Sequence, residues 1–204
     1  MTPAEQALSR LKQGNLNFLS GDNQHLESDA LSRSQLLTEQ KPFAIVLGCS
    51  DSRVPAEIVL GQSIGDLFVI RVAGNVVAPS QIGSIEFAAE KFETRLVVVM
   101  GHSNCGAVEA TLDQLAKPEK GRSPNLHSIV KRITPAVESL VNGQGDSSKE
   151  ELMKKAVRSN IHASVVQLRH GSEILEELIQ KDGLRIIGAE YCLESGMVEF
   201  FDDE

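Results

Sequence analysis

The sequence predicts an α/β protein, a mostly parallel central sheet with an antiparallel edge strand flanked by helices, and three observations predict it. Short apolar runs recur at 43–48, 67–71 and 96–101, with 185–191 a fourth candidate, the pattern of strands buried on both faces. Between them lie stretches whose apolar residues repeat at spacings of three and four, so strand and helix alternate as in a parallel sheet layered with helices. A last run, 197–201, follows Glu194-Ser195-Gly196, which predicts a hairpin and with it the antiparallel edge.

An N-terminal helical arm precedes the sheet. Thr2 before Pro3 and Glu5 is a helix start, with Thr as N-cap, Pro at the first helical position and Glu closing a capping box. Leu8, Leu11 and Phe18 fall on one stripe and Gly21 stops the helix. A second helical stretch carries Leu31, Leu36 and Leu37 and leads to Pro42. Ser80 is placed to cap a helix bearing Ile82, Ile85, Ala89 and Phe92, and Val108, Leu112 and Leu115 mark the next. Longer amphipathic stretches hold Leu126, Ile129, Ile133, Val137 and Leu140, then Val157, Ile161, Val165 and Leu168. The segment 143–148 reads as a loop between helices, and no repeat is present.

At 204 residues with 41% apolar content, the chain suffices for one domain, 1–204, with a full core. A net charge of -8 argues against nucleic acid and anionic membranes as partners. With neither a leader pattern nor an apolar run of the roughly 20 residues a spanning helix needs, a cytoplasmic location is expected. Three cysteines suit reduced thiols better than a disulfide framework. Cys192 is expected to be a buried core thiol, His25, His127, His162 and His170 surface residues, and Gly74-Asn75 a simple turn.

Two motifs carry the chemistry. G-C-S-D-S-R-V at 48–54 and G-H-S-N-C-G at 101–106 each end an apolar run, and ligands gather beyond the carboxyl ends of parallel strands. Cys49, His102 and Cys105 offer two thiolates and an imidazole, a zinc-binding set that leaves a fourth position open. Asp51 is close enough to Cys49 to fill it. In an extended segment 49, 51 and 53 share a side, so Arg53 can pair bidentately with Asp51, hold it off the metal and leave it to accept a hydrogen bond from bound hydroxide. Two anionic sulfurs should acidify bound water less than three neutral histidines do, so activity should rise toward alkaline pH.

These residues resemble the β-class carbonic anhydrases, zinc enzymes that interconvert carbon dioxide and bicarbonate. The likeness runs from about 40 to 108 through C-S-D-S-R-V-P-A-E, G-D-L-F-V-I-R-V-A-G-N and G-H-S-N-C-G, and more loosely near 186–200. It implies one zinc per chain on Cys49, His102 and Cys105, a catalytic dyad of Asp51 and Arg53, and Asp51 as fourth ligand only in a closed state. It also implies a substrate pocket with Gln40, Phe68, Phe87 and Ala73, the last where valine is common. Val46 stands where the branch with an allosteric bicarbonate site carries tryptophan, and Arg71 occurs in both branches, so an open site without that switch is expected. By the same likeness 1–40 is a helical oligomerisation arm that gives the Leu8 and Phe18 stripe a partner subunit, 41–204 is the zinc-binding core, and the assembly is a homodimer or homotetramer.

Rival functions share parts of this pattern. Some relatives hydrolyse carbon disulfide or carbonyl sulfide on the same site, and a non-catalytic bicarbonate-binding zinc protein would keep Asp51 on the metal, though Arg53 would then serve no purpose. G-H-S-N-C-G is one residue too long for a nucleophile elbow at Ser103, and neither a G-x-G-x-x-G nor a Walker loop is present.

Overall fold

The computed structural model describes residues 1–22, 36–117, 123–143 and 148–201. Its strands are β1 Ala44–Gly48, β2 Leu67–Arg71, β3 Leu96–His102, β4 Arg185–Tyr191 and β5 Val198–Phe201. They form one sheet in the order β2-β1-β3-β4-β5. The first three pairings are parallel and β5 runs antiparallel to β4. The described helices are α1 Pro3–Ser20, α2 Ala56–Val59, α3 Pro79–Lys91, α4 Gly106–Ala116, α5 Pro124–Asn142, α6 Lys149–His170 and α7 Glu173–Lys181. This is the predicted architecture.

Every residue of β1 and β3 is buried, because both faces of these central strands are covered. Ile45, Leu47, Val97 and Val99 point into one apolar layer with Ile85 of α3, Val108 of α4, Ile133 of α5 and Ile161 of α6. Ala44, Val46, Val98 and Met100, the alternate residues, meet Leu11 of α1 and Val59 of α2 on the other. The two-residue alternation of a strand thus builds two cores from one apolar run.

The predicted cap of α1 is present. Thr2 Oγ1 accepts from the Glu5 N–H at 3.3 Å and Glu5 Oε2 accepts from the Thr2 N–H at 2.7 Å, a device worth about 1 kcal/mol. Gly21 ends the helix in the left-handed region at φ 74°. Leu11 is fully buried in this chain's own core, with Leu8 and Phe18 packed against that core. The stripe therefore finds its partner within the subunit, and Leu16 and Leu19 are the exposed leucines of α1. Buried Asn15 adds a polar tether, donating to the carbonyls of Val59 and Gly196 and accepting from the Val198 N–H.

Several expectations are corrected. The expected second helix is corrected at its end, where Leu36 and Leu37 occupy a turn with no helix between them and Pro42, whereas Leu31 and His25 lie outside the described residues and are untouched by this. Helix α3 starts one residue before Ser80: Pro79 fills the first turn, Ala78 is the N-cap, and the Ser80 hydroxyl bonds Gln81 instead. Proline supplies the helical φ and lacks the N–H that a cap would satisfy. Helix α7, capped by Ser172, follows α6 after Gly171 and lies beyond the last apolar pattern read in the sequence, which ends at Leu168. Cys192 is part-exposed at the start of the β4–β5 hairpin. His127, His162 and His170 are exposed as expected. No helix among the described residues is long and apolar enough to cross a membrane.

Candidate metal centre

Three elements deliver the three soft ligands to one point. Cys49 follows Gly48, the last residue of β1, His102 ends β3, and Cys105 is the N-cap of α4. Strands β1 and β3 are parallel neighbours with Gly48 opposite Met100, so the two motifs meet at the carboxyl edge of the sheet. The ligand atoms of Cys49, His102 and Cys105 all lie within 4.8 Å of one another, and all three residues are buried. The two sulfurs are 4.0 Å apart. Two thiolates on a tetrahedral zinc, at about 2.3 Å each, would be roughly 3.8 Å apart.

The histidine is oriented for the same purpose. His102 Nδ1 lies 2.9 Å from the Ser103 carbonyl, which places the proton on Nδ1 and leaves the Nε2 lone pair facing the sulfurs. Nε2 has no hydrogen-bond partner although His102 is fully buried. An orphaned nitrogen in a dry site is costly unless a metal takes it. Ser103 is itself fixed, its N–H donating to the Tyr191 carbonyl and its hydroxyl accepting from the Leu193 N–H, each at 2.9 Å.

Asp51 and Arg53 meet as predicted, but through a turn. The chain reverses at 51–54, with the Val54 N–H donating to the Asp51 carbonyl. Arg53 donates to Asp51 Oδ1 from its backbone N–H at 3.0 Å and from Nε at 2.9 Å, and to Oδ2 from Nη2 at 2.7 Å. This fork leaves Oδ2 at 3.8 Å from His102 Nε2. Arg71 secures the loop from below, donating to the carbonyls of Cys49 at 3.0 Å and Asp51 at 2.6 Å.

The electrostatics follow from these contacts. The contact with the Cys105 sulfur draws the Cys49 thiol down against the opposing effect of burial, with help from His102 and the Gly74 amide. The same Cys49 contact and burial push Cys105 up. The two sulfurs thus share one proton between them. Burial would lower His102, yet the Cys49 sulfur, the Ser103 carbonyl and Asp51 raise it overall. The Arg53 guanidinium holds the Asp51 carboxyl well below the usual carboxylate range, against desolvation.

The remaining pocket candidates separate. Ala73 opens the short 3₁₀ turn Ala73–Asn75, and the Gly74 N–H donates to Cys49 Sγ at 3.3 Å. The turn that seemed merely structural in sequence is thus part of the site. Phe68 pairs with Ile45, near the amino end of β1 and roughly 13 Å from the level of Cys49 at about 3.3 Å per residue. It packs with Phe87 and Phe92, at ring-centre distances of 6.3 and 6.0 Å, and Phe87 is 52% exposed. Gln40 is exposed and precedes β1, whereas Cys49 follows it. One chain does not bring Gln40, Phe68 or Phe87 to its own metal cluster.

A family model described as carbonic anhydrase matches residues 44–198, spanning both motifs and strands β1 to β4. The chain belongs to the β-carbonic anhydrases. These enzymes are lyases, and the Cys49, His102 and Cys105 cluster is of the type that holds zinc in this family. Carbonic anhydrase 2 of Mycobacterium tuberculosis is 38% identical over 192 residues, covering 93% of this chain and 89% of that protein. The solved structure of the β-carbonic anhydrase CcaA superimposes with a TM-score of 0.77 at 29% identity, covering 96% and 95% of the two chains. That of the β-carbonic anhydrase CafA of Aspergillus fumigatus gives 0.75 at 28% identity, covering 83% and 80%.

Proposed function

We propose that this chain, in the cytoplasm, hydrates carbon dioxide reversibly to bicarbonate and a proton, with Asp51 and Arg53 as its working dyad and one zinc on Cys49, His102 and Cys105. The observation that carries the reading is the orphaned Nε2 of His102 beside two sulfurs, with an ionised carboxylate held 3.8 Å away by an arginine fork. When bound, zinc supplies a nucleophilic oxygen at neutral pH by acidifying a water. Asp51, acceptor-only while ionised, holds the hydrogen of the attacking oxygen so that a lone pair faces the substrate carbon. Arg53 keeps Asp51 ionised and holds its carboxylate beside the ligand cluster without letting it join the ligands. Ala73, on the turn that touches Cys49, offers a small apolar wall.

Gln40, Phe68 and Phe87 complete the pocket from a second copy of the chain. What supports this is their place at the far end of β1 and the exposure of Gln40 and Phe87, together with the exposed Leu16 and Leu19 of α1, which suit a homodimer or homotetramer. Gln40 then stabilises oxygen charge as it develops.

Stopped-flow hydration of carbon dioxide, paired with metal analysis of wild type and Asp51→Asn, tests the assignment. About one zinc per chain is expected in both, with a rate loss of about 100-fold or more in the variant. Equal rates, or wild type without zinc, would overturn it.

A further inference from the structure

The 3₁₀ turn Ala73–Asn75 lies outside the sheet ladder, and Gly74 has φ 68°, a conformation that only its lack of a side chain makes easy. A Cβ there would sit 2.8 Å from Ile133 Cδ1 and 3.0 Å from Ala107 Cβ. Such a turn needs holding, and helix α6 holds it. Asn160 Nδ2 donates to the Gly74 carbonyl at 2.9 Å, and Ser164 Oγ donates to the Asn75 carbonyl at 3.2 Å. Asn160 and Ser164 are 3% and 5% exposed and stand one helical turn apart on a face otherwise made of Val157, Ile161, Val165 and Leu168. Polar side chains on an apolar face are costly unless bonded, and both bond the turn whose amide faces the Cys49 sulfur.

We propose that Asn160 and Ser164 are positioning residues that aim the Gly74 amide at Cys49 and so set how strongly that sulfur donates to the metal. The inference rests on the metal-centre reading above. An N–H pointed at a thiolate draws on its lone pairs, weakens its donation and leaves the bound ion more electron-poor, which is how groups one layer behind a ligand tune a site. Asn160 pins the carbonyl of the residue that makes the N–H···S contact, and Ser164 pins the next one. These hydrogen bonds go to the turn and not to Cys49, His102 or Cys105.

Cobalt(II) substituted into the full-length protein reports the sulfur directly, through its thiolate-to-metal charge-transfer bands. In Asn160→Ala these bands should shift to longer wavelength, because a thiolate whose Gly74 N–H is no longer held on it gives up an electron more readily. Ser164→Ala should produce a smaller shift, and Ser164→Thr, which keeps the hydroxyl, should restore the wild-type spectrum. Spectra of Asn160→Ala and Ser164→Ala that superimpose on wild type, in protein with wild-type circular dichroism, would overturn the proposal while leaving the metal centre standing. If Asn160→Ala does not fold, Ser164→Ala against Ser164→Thr decides. Wild-type protein without thiolate bands would overturn both readings.

Discussion

Oδ2 of Asp51 lies 3.8 Å from Nε2 of His102, beside the ligand cluster, in the grip of Arg53. The fork at 2.9 and 2.7 Å sets that position, since a guanidinium matches both carboxylate oxygens at once and an ammonium does not.

Arg53→Lys should therefore retain zinc but lose much of its activity, because a point charge leaves the carboxylate free to swing onto the metal. A loss of about tenfold corresponds to a shift of only about 1.4 kcal/mol between the two carboxylate positions. Stopped-flow assays read the rate, and a crystal structure of the variant reads the position of Asp51. Wild-type turnover in Arg53→Lys would show that the fork is dispensable.

The stability of the Asp51–Arg53 pair should be insensitive to pH over the working range. The folded pKa of Asp51 is depressed, so its contribution is fully present above the unfolded carboxyl value of roughly 3.9 and fades as pH falls through the lower folded value. The melting difference between wild type and Arg53→Ala should be constant from about pH 8 to about pH 5 and shrink only below about pH 4.

Metal retention should behave oppositely. The side chains of Cys105 and His102 hold their protons more tightly than usual, and each must give up its proton before it can ligate. Zinc affinity should rise with pH across neutrality and fall on acidification. Competition with a chelator at several pH values measures it, and a flat affinity would contradict the ligand set.

Mixing two inactive variants should restore activity if the pocket is shared. Asp51→Asn keeps an intact Gln40, and Gln40→Ala keeps an intact dyad, so a mixed oligomer contains one site with both. After co-refolding, carbon dioxide hydration should exceed that of either parent. Activity no greater than the parents' average would return Gln40 to a structural role.

Gly74→Ala should destabilise the protein by about 1–3 kcal/mol, the range for a residue forced into a sparsely populated backbone region, with the nearby Ile133 and Ala107 adding crowding. Urea unfolding of the zinc-loaded protein gives the number. A change under a few tenths of a kcal/mol would mean the turn relaxes freely.

The sequence by itself determined the sheet, because the central strands β1 and β3, buried on both faces, leave apolar runs; β2 left a similar run although it is a half-buried edge strand, since its side chains still pack on the layers beside it. It also determined the three soft ligands, since Cys49 and the His102–Cys105 pair each end such a run. Tertiary structure decided what those runs could not encode. A turn replaced the extended geometry expected to bring Asp51 to Arg53. The part Gly74, Asn160 and Ser164 play at Cys49 was invisible, because the hydrogen bonds join residues 86 and 89 positions apart and two of the acceptors are backbone carbonyls, which leave no mark on residue identity. Local patterns register burial, which every residue type reports. Contacts made by main-chain atoms across the fold are fixed only once the layers pack.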